Sequence, residues 1–242
     1  MHPLVLCYHA VSDGWNHQLS VGPAVFERQL RGLRRRGFRG VGAEAALDGA
    51  RRGLHVTFDD AYRSVANAIP ILERLRVPAT VFACPAYADE GRPLDVPELA
   101  AEALAHPEEL ATMGWEELRN LVELGVEIGS HTVSHPHLPR LSDAEIDQEL
   151  SDSRARLEEG LDRPCRFLAY PYGEHDERVR AAARRVGYTA AYALANTAMK
   201  PRDFFALPRV DIYRKDNSVT TTLKTSFLRR PVAALRRLTQ PK

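Results

Sequence analysis

The chain has few cysteines, three in 242 residues: Cys7, Cys84 and Cys165, widely spaced and without a CxxC pair. An odd, scattered set excludes a disulfide framework and a thiolate metal site of the structural kind, and fits reduced, buried thiols. It also has no apolar run near the ~18 residues of a membrane span, and its start, Met1-His2-Pro3-Leu4-Val5-Leu6, has no basic leader followed by a long apolar core. Taken as the native start, that beginning predicts a cytoplasmic protein. Glycine (15) and proline (16) are too sparse for a low-complexity chain, and no repeat is visible. Lys plus Arg (33) nearly cancels Asp plus Glu (32), so no overall field predicts a nucleic-acid partner.

The charge is uneven, however. From Asn217 onward Lys224, Arg229, Arg230, Arg236, Arg237 and Lys242 meet no acid, leaving an acidic body with a basic tail. Two units are therefore expected, a catalytic domain over 1–216 and a tail over 217–242. Phe227 to Leu238 mixes apolar and basic residues at short helical spacing, a pattern open to peripheral contact with an anionic membrane surface but better suited to a disordered or surface-packed terminus with solvated arginines.

Short apolar runs, Leu4–Tyr8, Leu54–Phe58, Ala79–Ala83, Val126–Gly129, Phe167–Tyr170, Tyr188–Leu194 and Leu207–Tyr213, read as strands. Helical patterns lie between them: Pro23–Arg36 with Phe26, Leu30 and Leu33 on one face, Ala61–Leu75 with a kink at Pro70, a helix opened by the Ser142-Asp143-Ala144-Glu145 capping box, and Asp176–Val186 closed by Gly187. Such alternation predicts an α/β fold, a distorted (β/α) barrel of about seven parallel strands, with reactive groups gathered at the strand ends.

Those ends carry the chemistry. Thr57-Phe58-Asp59-Asp60 closes one strand, and Ser130-His131-Thr132-Val133-Ser134-His135 follows another. Asp60, His131 and His135 make a mixed oxygen and nitrogen set of three ligands that leaves positions open, as in hydrolytic zinc sites, and Asp59 remains as a base. His131 and His135, four apart, would share one side of a helical turn. Taken singly, Asp60 equally suits an N-cap for a helix at Ala61, and paired histidines are often solvated. His137, behind Pro136, reads as a support for the ligands or as a bystander.

Together, TFDD, SHTVSHPHL, FLAYPYG (Phe167 to Gly173) and the opening LCYHAVSD resemble the polysaccharide deacetylases of carbohydrate esterase family 4, and within them a subgroup that begins on a YHxV strand. The likeness covers about residues 4–213. It implies N-deacetylation of an acetylated amino sugar or glycan, lipid-linked forms included, with one divalent metal, Zn2+ before Co2+, Ni2+ or Mn2+. Asp60, His131 and His135 would hold that metal and Asp59 would act as general base. The oxyanion would meet the backbone N–H of Tyr172, next to Pro171 in the substrate site. His9 would be the general acid, since no histidine follows His175. The family's glycine after TFDD is Ala61 here, and its arginine before the third-motif prolines is Ala169, so Arg209 of Leu207-Pro208-Arg209 is expected to hold Asp59 instead. A Cys7 nucleophile paired with His9 lacks an orienting third group. The rival readings are another amide hydrolase on this scaffold, such as a deformylase or cyclic-amide hydrolase, and a non-catalytic glycan-binding module.

Overall fold

The computed structural model describes residues 3–194 and 203–226. Eight parallel strands run in chain order: β1 (Leu4–Tyr8), β2 (Arg39–Gly40), β3 (Gly53–Phe58), β4 (Ala79–Ala83), β5 (Glu127–Ser130), β6 (Phe167–Ala169), β7 (Ala190–Leu194) and β8 (Leu207–Asp211). β1 pairs with both β3 and β8, so β1 and β3–β8 close into a seven-stranded barrel, the α/β architecture expected. The two-residue β2 joins the start of β3 at Arg39↔Gly53, below the point where β4 takes over at Val56↔Ala79.

The helices are α1 (Pro23–Arg35), α2 (Ala43–Leu47), α3 (Ile69–Leu75), α4 (Pro85–Ala88), α5 (Ala100–Ala105), α6 (Pro107–Leu110), α7 (Trp115–Glu123), α8 (Asp143–Leu161), α9 (Glu177–Val186) and α10 (Ser218–Lys224). α1 starts with Pro23 in its first turn, where a missing N–H costs nothing, and ends in Arg34 and Arg35, whose charge suits the negative helix end. α8 carries the expected capping box between Ser142 and Glu145. Asp176 accepts the Val179 N–H to start α9, and Gly187, at φ 93°, ends it. The expected helix over Ala61–Leu75 is corrected: Asp60 and Ala61 take φ of 69° and 49°, which no right-handed helix tolerates, a 3-10 helix follows over Arg63–Ala68, and α3 itself runs from Ile69, with Pro70 harmless in its first turn.

Strand alternation sorts the core into two shells. Leu6, Leu54, Val56, Phe58, Val81, Ile128 and Leu168 share a cluster with Phe26, Leu30 and Leu33 of α1, Ile146, Leu150 and Leu157 of α8, and Val179 of α9. Phe82, Phe167, Ala169, Ala190, Tyr192 and Leu207 form a separate cluster inside the barrel, joined by Ala43 and Leu47 of α2. Burial on both faces is why the strands read as continuous apolar runs. Gly129 leaves room for this inner layer, since a Cβ there would lie 2.5 Å from the Phe82 ring and 2.9 Å from the Phe167 carbonyl. Residues 217–226, the start of the segment read as a tail, include α10, which packs on α1. The remainder of that segment lies outside the described residues.

Candidate metal centre

The inward alternation of β3 runs His55, Thr57, Asp59, which delivers Asp59 to the barrel end; its N–H still donates to the Tyr8 carbonyl at 2.9 Å. The left-handed turn at Asp60 then brings the next carboxylate to the same end, although neighbours on a regular strand point apart. Asp60 caps no helix: the short 3-10 turn that follows starts from Tyr62 and has no side-chain cap.

His131 leaves β5 with its N–H on the Ala83 carbonyl. Its Nδ1–H donates to the Ala169 carbonyl at 2.8 Å, which fixes the tautomer and turns Nε2 toward Asp60. The four-residue spacing to His135 is not a helical turn, as expected from sequence, but a bend with Thr132 and His135 at φ 69° and 64°. Three side chains hold this bend. Ser130 Oγ accepts the Thr132 N–H at 3.1 Å, and Thr132 Oγ1 accepts the His135 N–H at 3.1 Å. Glu149 of α8 accepts the Val133 N–H at 2.8 Å, the Ser134 N–H at 3.1 Å and the Ser134 hydroxyl at 2.7 Å. Sequence reading missed Glu149, whose only signal is an acid one turn inside a helix that follows the paired histidines.

Asp60 Oδ1 lies 3.5 Å from His131 Nε2 and 3.3 Å from His135 Nε2. It is buried and has no hydrogen-bond partner, a costly state unless something positive sits among these atoms. Burial pushes His131 down to about 4, so its imidazole is neutral. Burial works to raise Asp60, but the His135 imidazole and its neighbours outweigh it and keep the carboxyl ionised. Ionised carboxylate and neutral imidazole are the forms that bind a divalent cation, and the three donors fit one.

Asp59 faces a different partner. Arg209, fully buried on β8, donates from Nη1 to Oδ1 at 2.6 Å and from Nη2 to Oδ2 at 2.8 Å, with a further bond from Nη1 to Thr57 Oγ1 at 3.1 Å. The guanidinium lies 5.5 Å from the Phe82 ring centroid and 5.9 Å from that of Tyr192, inside the aromatic layer. Burial alone would raise the Asp59 carboxyl; the Arg209 charge overcomes it, with His131 adding to the effect, and holds it far below the usual range. Ala169 on β6 is buried and brings no charge, and the fork arrives from β8 as expected.

The Cys7 thiol donates to Asp59 Oδ2 at 3.3 Å, and burial pushes it well above its usual range, so it is not poised as a thiolate nucleophile. His9, half-buried at the end of β1, has a buried Nδ1 without a partner. Pro171 is buried at the start of the turn after β6, and Tyr172 follows at φ 58°. The Tyr172 ring packs edge-on against His135, with centroids 4.7 Å apart, and stacks on His137 at 4.0 Å. Its hydroxyl donates to Glu98 at 2.7 Å. His137 is more than a bystander in this rim, bridging Glu98 at 3.0 Å and Glu174 at 2.9 Å.

The polysaccharide deacetylase family model matches residues 47–191, which contain both aspartates, both site histidines and the Pro171 turn. The chain belongs to the polysaccharide deacetylase family. Hydrolytic removal of an acyl group from a glycan is therefore the reaction class in which its site is read. A protein of Bacillus subtilis (strain 168), named as a polysaccharide deacetylase, is 24% identical over 217 residues, covering 86% of this chain and 70% of that one. The chitooligosaccharide deacetylase of Bradyrhizobium sp. (strain ANU 289) is 29% identical over 163 residues, 66% of this chain; the match spans 62% of the relative, less than two thirds of its length. Among solved structures, the Streptococcus pyogenes deacetylase PplD in complex with acetate shares the fold, with a TM-score of 0.76 over 93% of this chain and 99% of that one, at 21% identity. No helix among the described residues is long and apolar enough to cross a membrane.

Proposed function

We propose that this member of the family is a metal-dependent hydrolase that removes the N-acetyl group from an acetylated amino sugar. The observation that carries the reading is the buried, partnerless Asp60 Oδ1 facing Nε2 of both His131 and His135. These three residues would hold a divalent cation, zinc foremost and Co2+, Ni2+ or Mn2+ as alternatives, which when bound supplies Lewis acidity toward the acyl carbonyl and the attacking water.

The other roles belong to this chain's own groups. Asp59, kept ionised and oriented by the Arg209 fork, accepts the proton that water gives up as it attacks the acetyl carbon. The backbone N–H of Tyr172, on the turn set by Pro171, donates to the oxygen that gains charge. His9 delivers a proton to the sugar nitrogen as the C–N bond breaks, so that the amine leaves neutral. Arg209 acts through Asp59 and is a positioning residue.

Acetate release by the zinc-loaded protein, measured across N-acetylated oligosaccharides, nucleotide sugars and lipid-linked sugars, tests the reading and names the substrate. Release that disappears in Asp59→Asn is expected; zinc bound with no acetate from any of them would overturn it. The lipid-linked class is the one that the basic segment Phe227 to Leu238, outside the described residues, would serve at an inner membrane surface. Loss of liposome co-sedimentation on deleting 227–242 is the result that this role requires.

A further inference from the structure

Next to the Asp60, His131 and His135 centre stands a second set of donors. Cys7 and His9 leave β1 on one face, two residues apart, and Asp59 leaves the neighbouring β3, so that one ligand atom from each lies within 4.8 Å of the others. Asp59 Oδ2 already joins two of its neighbours, taking the Cys7 thiol at 3.3 Å and Arg209 Nη2 at 2.8 Å. His9 Nδ1 is buried without a partner. Asp211, in register beside Cys7 on β8, adds a buried carboxylate oxygen that also has none. Unmet imidazole and carboxylate capacity around a thiol is costly in a protein interior and is what a cation would relieve.

We propose that Cys7, His9 and Asp59 form a second cation site, selective for a thiophilic divalent ion such as zinc, and that filling it inhibits the enzyme by withdrawing both Asp59 and His9 from proton transfer. The cation takes the place of the thiol proton between Sγ and Oδ2. That proton passes to solvent, an Sγ–metal bond forms, and Oδ2 exchanges a hydrogen bond for a metal bond. Arg209 keeps its hold on Oδ1 at 2.6 Å, so Asp59 stays anchored. A thiolate favours zinc and cobalt over magnesium and calcium, which sets the expected order of inhibitors. The inhibitory half rests on the roles given to Asp59 and His9 above; the binding half does not.

The test is titration of the full-length, metal-free protein with Co2+, followed by absorption, and with Zn2+, followed by dialysis and acetate release. Two equivalents are expected in the wild type, the second arriving with a thiolate-to-cobalt charge-transfer band and with loss of activity in excess zinc, while magnesium does neither. Cys7→Ser should bind one equivalent, show no band and resist excess zinc; His9→Gln should weaken the second equivalent at least tenfold with the first unchanged. Saturation at one equivalent with no band in the wild type would overturn the site, as would a band of full strength in Cys7→Ser. A band without inhibition would overturn the inhibitory half. Loss of the other equivalent with the band intact would instead contradict the Asp60 centre.

Discussion

Arg209 and Asp59 show how much a single buried pair decides. Removing one partner of such a pair leaves the other charged and desolvated, so Arg209→Met should lower stability by about 3–5 kcal/mol in urea unfolding. Arg209→Lys should recover little, because an ammonium cannot make the two parallel bonds of the fork. An effect on stability below about 1 kcal/mol would mean that the pair is not desolvated in solution. His55, with His131, contributes a pH dependence in the same direction. Burial pushes it down to about 4, between the Val41 carbonyl at 2.9 Å and Thr80 Oγ1 at 2.9 Å. An unfolded histidine titrates near 6.5, so the unfolded chain takes up the proton first. The contribution is therefore full above about pH 6.5 and is lost as pH falls toward 4. His55→Gln should flatten the dependence of the urea midpoint over that window; an unchanged slope would contradict it.

At the scale of elements, α8 reaches the proposed metal centre through Glu149, which accepts from two backbone amides and a hydroxyl of the bend between the histidines. Glu149→Ala should weaken zinc binding roughly 10–100-fold in a chelator competition, the range for residues that orient ligands, while the metal-free melting temperature moves little. Unchanged affinity would show that the bend holds itself. Inside the barrel, Gly129→Ala sets a methyl against Phe82 and the Phe167 carbonyl and should cost about 1–3 kcal/mol by overpacking. Legibility divides along the same lines. The barrel strands were readable because parallel strands covered on both faces are apolar throughout. β2 has two residues, and α4, α5 and α6 have four to six, too few for a helical period to register. Of the left-handed turns at Asp60, Thr132 and His135, those at the aspartate and the histidine use types enriched there, but without glycine the signal is too weak to outweigh helical spacing, and the β-branched Thr132 gives none, so the sequence reads as a helix at Ala61 and a helical turn between the histidines.

For the molecule as a whole, seven strands from distant parts of the chain bring His9, Asp59, Asp60, His131, Tyr172 and Arg209 to one end of a closed sheet. The motifs marked which strands carry reactive groups, whereas contacts such as Arg209 with Asp59 depend on the register between β8, β1 and β3, for which the local sequence holds only the arginine itself. The rim joins the loops after β4, β5 and β6 through Glu98, His137 and Tyr172, and no one of those segments discloses the others. If hydrolysis of an N-acetyl group depends on a cation at Asp60, His131 and His135, adding zinc to metal-free protein in the presence of an N-acetylated chitooligosaccharide should switch on acetate release. Release should rise with the first equivalent and be absent in Asp60→Asn and Asp59→Asn; acetate released by the metal-free protein, or at full rate by Asp60→Asn, would contradict the account.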